Sequence, residues 1–313
     1  MPPPSLPESR LAAIDIGSNS CLLVMARQVR GQVQLFNQRK EAIRLGSALD
    51  AQGVLSQEAM QRGWDCLQRY AEILGDLPRR RVRAVATQTL REASNRDVFL
   101  AEGQRILGCP IEVIDGEQEA RLIYRGVAEQ LPPSPHKRLV VDIGGRSTEL
   151  CVGHQLQVLQ AHSFPVGSVT WALRHFAHGE LSAQAMAQAE QAVADLVAPQ
   201  VRHFGAGQWS HAYGASGTAG AIVKVLAHAT AEPRGWITRQ GLDWLHAELL
   251  QAGHASQVHI AGLKEELRPM IGGGLSVMRA LFSLLGIERM RVTHGALRHG
   301  VLYELAQRLP EER

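Results

Sequence analysis

Apolar positions along the chain fall in short runs separated by polar turns. Leu11 to Ile14 and Leu22 to Ala26 predict two buried strands flanking a glycine turn, and Val33 to Phe36 a third. Ser56 is placed to cap a helix, because Met60, Trp64, Leu67, Ala71 and Leu74 follow at spacings of four and three. Arg83 to Ala86 predicts a short strand running into Thr87–Arg91, then a helix over Val98 to Ile106 and a strand over Ile111 to Ile114. Such alternation implies a mixed α/β sheet with helices packed on it. Gln130 to Lys137 holds three prolines in four residues and reads as a linker. Beyond it the pattern predicts strands at Leu139–Val141 and Leu150–Val152. An Ala-rich helix is expected over Ser182–Val201, with Met186, Val193, Leu196 and Val197 on one face. A strand at His211–Tyr213, a small-residue loop Gly214–Gly220, a helix opened by Gly272–Gly274, a strand at Met290–Val292 and a last helix over Ala296–Arg308 complete the chain.

One short phrase occurs twice. Ile14-Asp15-Ile16-Gly17-Ser18-Asn19-Ser20 returns as Val141-Asp142-Ile143-Gly144-Gly145-Arg146-Ser147, 127 residues later, each time between two predicted strands. Glycine lets the backbone approach a ligand closely, and successive turn N–H groups can form an anion-binding concavity. A carboxylate beside such a nest repels phosphate unless a cation separates them, so the pattern points to phosphate with Mg²⁺. Two copies suggest two related lobes closing on one ligand. The loop Gly214–Gly220 resembles a further phosphate loop, or is a structural turn. Neither a Walker A loop nor a dinucleotide fingerprint after a first strand is present.

Length and charge narrow the class. A chain of 313 residues implies two domains, and a net charge of +3 gives no footing for nucleic acid. No apolar run approaches the ~20 residues of a membrane helix. Residues 1–10 lack signal-peptide features and read as a disordered lead-in, ahead of lobes over 11–129 and 130–313, the last helix being able to pack back on the first lobe. The four cysteines are scattered without zinc spacing, which fits reduced thiols and a cytoplasmic protein. Arg79-Arg80-Arg81-Val82-Arg83 is either a solvated strand entrance or a basic track for a polyanion. Asp115 to Leu122 places acidic residues at a strand end and a helix start. They either complement the helix macrodipole or aim one carboxylate at water as a general base.

Taken together, Ala13–Ser20, Thr89-Leu-Arg-Glu-Ala93, Gly116-Glu-Gln-Glu-Ala-Arg-Leu122 and Asp142–Glu149 resemble the exopolyphosphatase / guanosine pentaphosphate phosphohydrolase family. Arg44-Leu-Gly46, Phe164–Val169, Gly214–Thr218 and Gly295–Gly300 support the likeness, which runs from Leu11 to Leu305. The resemblance implies an α/β fold of two ribonuclease-H-like lobes, as in the actin, sugar kinase and Hsp70 ATPase superfamily, with an interlobe cleft. It implies Glu119 as catalytic base and Arg91 as an arginine holding substrate phosphate. Ser18, Asn19 and Ser20 would contact phosphate from one lobe, and Gly144, Gly145, Ser147 and Thr148 from the other, with Gly217 and Thr218 on the third loop. Asp15, Asp142 and Glu149 would organise Mg²⁺, with a monovalent cation such as K⁺ admitted beside it.

This chain departs from the family's pattern at Arg146, where a third glycine is common. A positive φ there would strain arginine; an ordinary φ would leave it as a phosphate-binding cation. Long family members carry additional C-terminal helical domains, and the chain's end after the second lobe gives an expectation of short-chain preference. The leading function is release of orthophosphate from the end of inorganic polyphosphate. Hydrolysis of guanosine pentaphosphate is the alternative, and a non-catalytic sensor of either ligand the third. A homodimer is compatible with the resemblance; no membrane or nucleic-acid partner is expected.

Overall fold

The strand signals near the start extend in both directions. In the computed structural model, which describes residues 9–29 and 32–309, β1 (Ser9–Ile16), β2 (Ser20–Val29) and β3 (Gln32–Ala42) form an antiparallel meander. Residues 1–8 of the expected lead-in lie outside the described residues, whereas Ser9 and Arg10 are rungs of β1 paired with Gln28 and Arg27. β3 outruns the apolar stretch Val33–Phe36 because it is an edge strand, mostly exposed, whose polar residues carry no apolar signal. β4 (Val82–Ala86) and β5 (Ile111–Val113) join β1 in parallel, giving the order β3-β2-β1-β4-β5.

Helices α1 (Gln57–Leu74), α2 (Gln88–Glu92), α3 (Arg96–Leu107) and α4 (Gly116–Ala128) accompany this sheet. Ser56 caps α1 by accepting from the Ala59 N–H at 3.2 Å, an interaction worth about 1 kcal/mol. Met60, Trp64, Leu67 and Leu74 are buried with Ile14, Leu23 and Phe99 in the first core. The basic cluster divides, with Arg80 exposed as a solvated strand entrance requires and its neighbours turned inward. Arg81 and Arg83 are buried, and Arg83 is held by Glu112 at 2.8 Å and by Glu304.

The second sheet repeats the first and adds to it. β6 (Arg138–Ile143), β7 (Thr148–His154) and β8 (Gln157–Phe164) form the meander, and β9 (His211–Ala215) lies parallel to β6. β10 (Trp236–Thr238) pairs antiparallel with β11 (Arg289–Val292), which runs parallel to β9. The order β10-β11-β9-β6-β7-β8 therefore contains the five-strand pattern of the first sheet plus one edge strand. Repetition of the short phrase is the visible tip of a repeated topology, that of two ribonuclease-H-like units.

Six helices pack in this unit: α5 (Ser168–His175), α6 (Ala183–Val197), α7 (Val201–Phe204), α8 (Ser216–Ala229), α9 (Arg239–Ala252) and α10 (Arg268–Leu285). The Ala-rich helix ends at Val197 rather than Val201, because Pro199 opens a 3₁₀ turn; Leu196 is 40% exposed, off the buried face of Met186, Val193 and Val197. Gly214–Gly220 is not a loop: β9 runs through Ala215 and α8 begins at Ser216. Gly272–Gly274 lie within α10. A Cβ on Gly273 would stand 2.5 Å from both the Ser168 carbonyl oxygen and the Ala172 nitrogen, so this glycine lets α5 and α10 meet backbone to backbone.

The chain divides into two compact units, 1–126 with 297–313, and 127–296. The break falls in the last turn of α4 rather than at 129/130, and the final helix α11 (Leu297–Arg308) belongs to the first unit. Two features seat it there. A Cβ on Gly300 would fall 1.8 Å from the Leu122 carbonyl oxygen, so α11 and α4 touch through backbone, and Glu304 pairs with the buried Arg83 of β4. Among the described residues no helix is long and apolar enough to cross a membrane.

Candidate active site

The two repeated turns share one backbone design. Gly17 N–H donates to the Ser20 carbonyl at 3.0 Å, and Gly144 N–H to the Ser147 carbonyl at 2.9 Å. A Cβ on either glycine would crowd that same carbonyl oxygen, at 3.1 Å in both copies, so glycine is needed for room; neither has a positive φ. Arg146 is also absent from the positive-φ residues. Arginine therefore occupies the glycine position without backbone strain.

Each turn is held from behind by the segment after its third strand. Asn19 O accepts from the Ile43 and Arg44 N–H groups at 3.1 and 3.0 Å, and Ser18 O from Gly46 N–H at 2.7 Å. In the second unit Gly144 O accepts from Ser168 N–H, and Gly145 O from Val169 N–H, both at 2.9 Å. Gly167 lies against this turn so closely that a Cβ would stand 2.5 Å from Arg146 N. These bonds consume carbonyl oxygens and so fix which way the turn's N–H groups face. Arg44 takes φ 50° to make its bond, an unusual conformation for a non-glycine residue.

Chemistry gathers at one end of the first sheet. Asp15 is the penultimate residue of β1, 8% exposed, and Ser18 and Ser20 are buried in the turn after it with Asn19 half-buried. Asp115 starts α4: its carboxylate accepts from Gln118 N–H at 2.8 Å and its carbonyl from Glu119 N–H at 2.9 Å, which sets Glu119 in the first turn. Glu119 is 7% exposed, and its Oε2 accepts from Arg91 Nη1 at 2.8 Å. Arg91 Nη1 also donates to Ile114 O at 2.8 Å, and Nε and Nη2 donate to Gln88 Oε1 at 3.0 and 2.5 Å. A guanidinium has five N–H groups. Four are spent in this way, so the guanidinium is held in one orientation and holds Glu119 in turn.

Burial raises the Glu119 carboxyl above its ordinary range, opposed by the charge and hydrogen bond of Arg91. Asp15 is pushed up to about 7, chiefly by burial and then by the Glu119 charge, with Arg298 and Lys40 pulling the other way. Like charge on a neighbouring carboxylate disfavours ionisation of both, and a cation beside them would relieve it.

The second unit presents a different set. Asp142 and Glu149 are direct cross-strand partners on β6 and β7, 8% and 2% exposed, and Ser163 Oγ donates to Glu149 Oε1 at 2.7 Å. Opposed carboxylates with hydroxyl support suit the oxygen ligation of Mg²⁺, which keeps several waters. Among the described residues no group of three or more His, Cys, Asp or Glu is placed to hold a metal ion. Ser147 is 3% exposed within the turn. Thr148 and Thr218 use their hydroxyls internally, donating to Val166 O at 2.6 Å and to Ile143 O at 2.8 Å. Gly217 lies with Thr218 in the first turn of α8, after Ser216, which takes φ 85°.

The sequence model of the Ppx/GppA phosphatase family matches residues 24–309. The chain belongs to that family. Among solved structures, an exopolyphosphatase-like protein is 25% identical, with TM-score 0.84 over 96% of this chain and 98% of that one. An exopolyphosphatase from Cytophaga hutchinsonii is 24% identical, with TM-score 0.85 over 97% and 100%. The Aquifex aeolicus Ppx/GppA family member is 23% identical, with TM-score 0.77 over 96% and 99%. The family fold is thus spanned along nearly the whole chain.

Within this Ppx/GppA phosphatase, sequence reasoning missed Gln38, Lys40, Ser163 and Arg298. Lys40 stands opposite Leu22, itself opposite Asp15, so all three share one face of the sheet; the register supplies that signal once it is known. Arg44–Gly46 and Phe164–Val169, read as supporting motifs, are the two clamps that hold the glycine turns.

Proposed function

We propose that this phosphatase is an exopolyphosphatase that hydrolyses the terminal phosphoanhydride of inorganic polyphosphate and releases orthophosphate. One observation carries the reading: a buried glutamate with a raised pKa, held in a single orientation by an arginine, in the same unit as a glycine turn whose carbonyls are tied back. A carboxylate whose pKa is raised is a stronger base than an ordinary exposed one. Glu119 would take a proton from water as the water oxygen bonds to the terminal phosphorus. The P–O bond to the next phosphate breaks, and the electron pair leaves with the shortened chain.

Backbone N–H groups of the turns, Ser18, Ser20, Ser147 and Arg146 would bind phosphate oxygens, with one remaining N–H of Arg91. Asp142 and Glu149 would hold Mg²⁺, which would supply charge neutralisation on the phosphates when bound. Family membership and a relative named as an exopolyphosphatase support the substrate class. The test is orthophosphate release, measured in parallel from polyphosphate of defined lengths and from guanosine pentaphosphate, with Mg²⁺ present. Faster release from polyphosphate, short chains above long, is expected. Preference for guanosine pentaphosphate, or tight binding without release, would overturn the assignment.

A further inference from the structure

Arg91 and Glu119 are carried by two helices that follow neighbouring strands, and a third side chain settles how they meet. α2 has only five residues, too few to persist on its own. Bonds at both ends hold it. Thr87 N–H donates to Ile16 O at 3.3 Å, at the root of the first glycine turn, and Ser94 N–H donates to Gly53 O at 2.8 Å. The start of α4 is set beside it, because Ile114 N–H donates to Ala86 O at 3.1 Å. Arg91 spans the gap between the two helices, with Nη1 donating to Ile114 O and to Glu119 Oε2, both at 2.8 Å.

The far edge of the same guanidinium, Nε and Nη2, donates to Gln88 Oε1. Contacts at Nη1 alone would let the guanidinium plane swing about that corner, and the second edge contact stops it. Gln88 is fixed in its turn, since its Nε2 donates to Glu92 Oε1 four residues further along α2. A guanidinium only donates and a carboxylate only accepts, so one orientation of the amide satisfies both neighbours. The side chains therefore form a hydrogen-bonded series, Glu92 to Gln88 to Arg91 to Glu119. Residue type matters at position 88. An aliphatic side chain would supply no acceptor. Glutamate would repel Glu92 across one helical turn and compete with Glu119 for the arginine. Glutamine accepts from the one neighbour and donates to the other.

We propose that Gln88 is a positioning residue, its amide set by Glu92, that holds the Arg91 guanidinium so that Glu119 stays aimed for proton transfer. This role rests on Glu119 being the base of the proposed hydrolysis, while the hold of Gln88 on Arg91 stands without turnover. The experiment measures phosphate release from polyphosphate in Mg²⁺ for Gln88→Met and Glu92→Ala, with Tm alongside. Gln88→Met is measured in the wild-type and in the Glu119→Gln background. Gln88 is half-buried, and methionine matches its length and helix propensity, so Gln88→Met removes the acceptor without opening a core. Solvent exchange of the Arg91 Nε–H, followed by ¹⁵N NMR, reads the hold itself.

Gln88→Met is expected to lower kcat about 5–30-fold with KM changed less than about twofold, as misplacement of a base does. Glu92→Ala should lower kcat about two- to threefold in the same way. In Glu119→Gln, adding Gln88→Met should lower the residual rate by less than about twofold, because the group being aimed is gone. A merely structural role would cost the same factor in both backgrounds. The Arg91 Nε–H should exchange about tenfold faster in Gln88→Met, as loss of one hydrogen bond allows. Wild-type kcat in Gln88→Met would overturn the proposal, and so would an equal loss in both backgrounds, whether or not Tm falls. If wild type releases no phosphate from any substrate, the hydrolase reading fails. Unchanged Arg91 Nε–H exchange in Gln88→Met would then overturn the hold of Gln88 independently.

Discussion

The two units share a turn and differ in what surrounds it. Both carry aspartate one residue before the end of their first strand, both place glycine where a carbonyl approaches, and both tie the turn's carbonyls to the segment after the third strand. In the first unit that frame sits beside Asp15, Glu119, Arg91, Lys40 and Arg298, a mixed set in which carboxylates are raised by burial. In the second it sits beside Asp142 and Glu149, paired across two strands and braced by Ser163. Duplication has kept the backbone cradle and let the side chains specialise. Under the proposed function, the proton acceptor would lie in the first copy and the Asp142–Glu149 cation support in the second.

That division of labour is open to attack. Glu119→Gln should lower kcat about 10²–10⁴-fold at every Mg²⁺ concentration, because no cation replaces a proton acceptor. Glu149→Gln should lower the rate by a similar or smaller factor that added Mg²⁺ recovers in part; steady-state rates across a Mg²⁺ titration separate the two. A Glu119→Gln defect rescued by Mg²⁺ would erase the distinction between the units.

Smaller effects probe the clamps and the buried charge. Gly167→Ala forces a Cβ against Arg146 N, so the second turn must move; a loss of about 1–3 kcal/mol in chemical denaturation and at least a roughly tenfold loss of rate are expected. Asp15, raised from 3.8 to about 7 in the folded protein, binds its proton more tightly folded than unfolded. Its contribution to stability is fully present below pH 3.8 and is lost as pH rises through about 7. Without Mg²⁺, Asp15→Asn should therefore stabilise the protein at pH 8 by about 1–3 kcal/mol and have little effect at pH 4, as denaturant midpoints would record. Arg44→Gly should be the mildest change, within about 0.5–1 kcal/mol, since glycine accepts the left-handed backbone that arginine adopts there.

Much of this arrangement was legible in the amino-acid order. The repeated turn, the capped helix at Ser56 and the Glu119 segment follow from local patterns, because strand alternation, capping chemistry and glycine spacing act over a few residues. Resemblance to the family supplied the pairing of Glu119 with a catalytic role, which composition alone left open against a helix-dipole reading. What stayed hidden depends on long-range register. Lys40 aligns with Asp15 only once β2 and β3 are paired, and Arg298 reaches that face from the far end of the chain on a helix seated by Gly300. The loop read at Gly214–Gly220 became a helix start because small residues satisfy both, and its threonine hydroxyl is spent on a backbone carbonyl. Arginine at position 146 needed an actual φ to be judged.

The central claim is that water attacks the terminal phosphorus of a phosphate chain under general-base assistance. Hydrolysis of polyphosphate in ¹⁸O-water, followed by mass analysis of the products, tests it most directly. The account predicts one ¹⁸O in each released orthophosphate and none in the shortened chain, with Glu119→Gln slowing release without moving the label. Label appearing in the residual chain, or orthophosphate released without label, would contradict it.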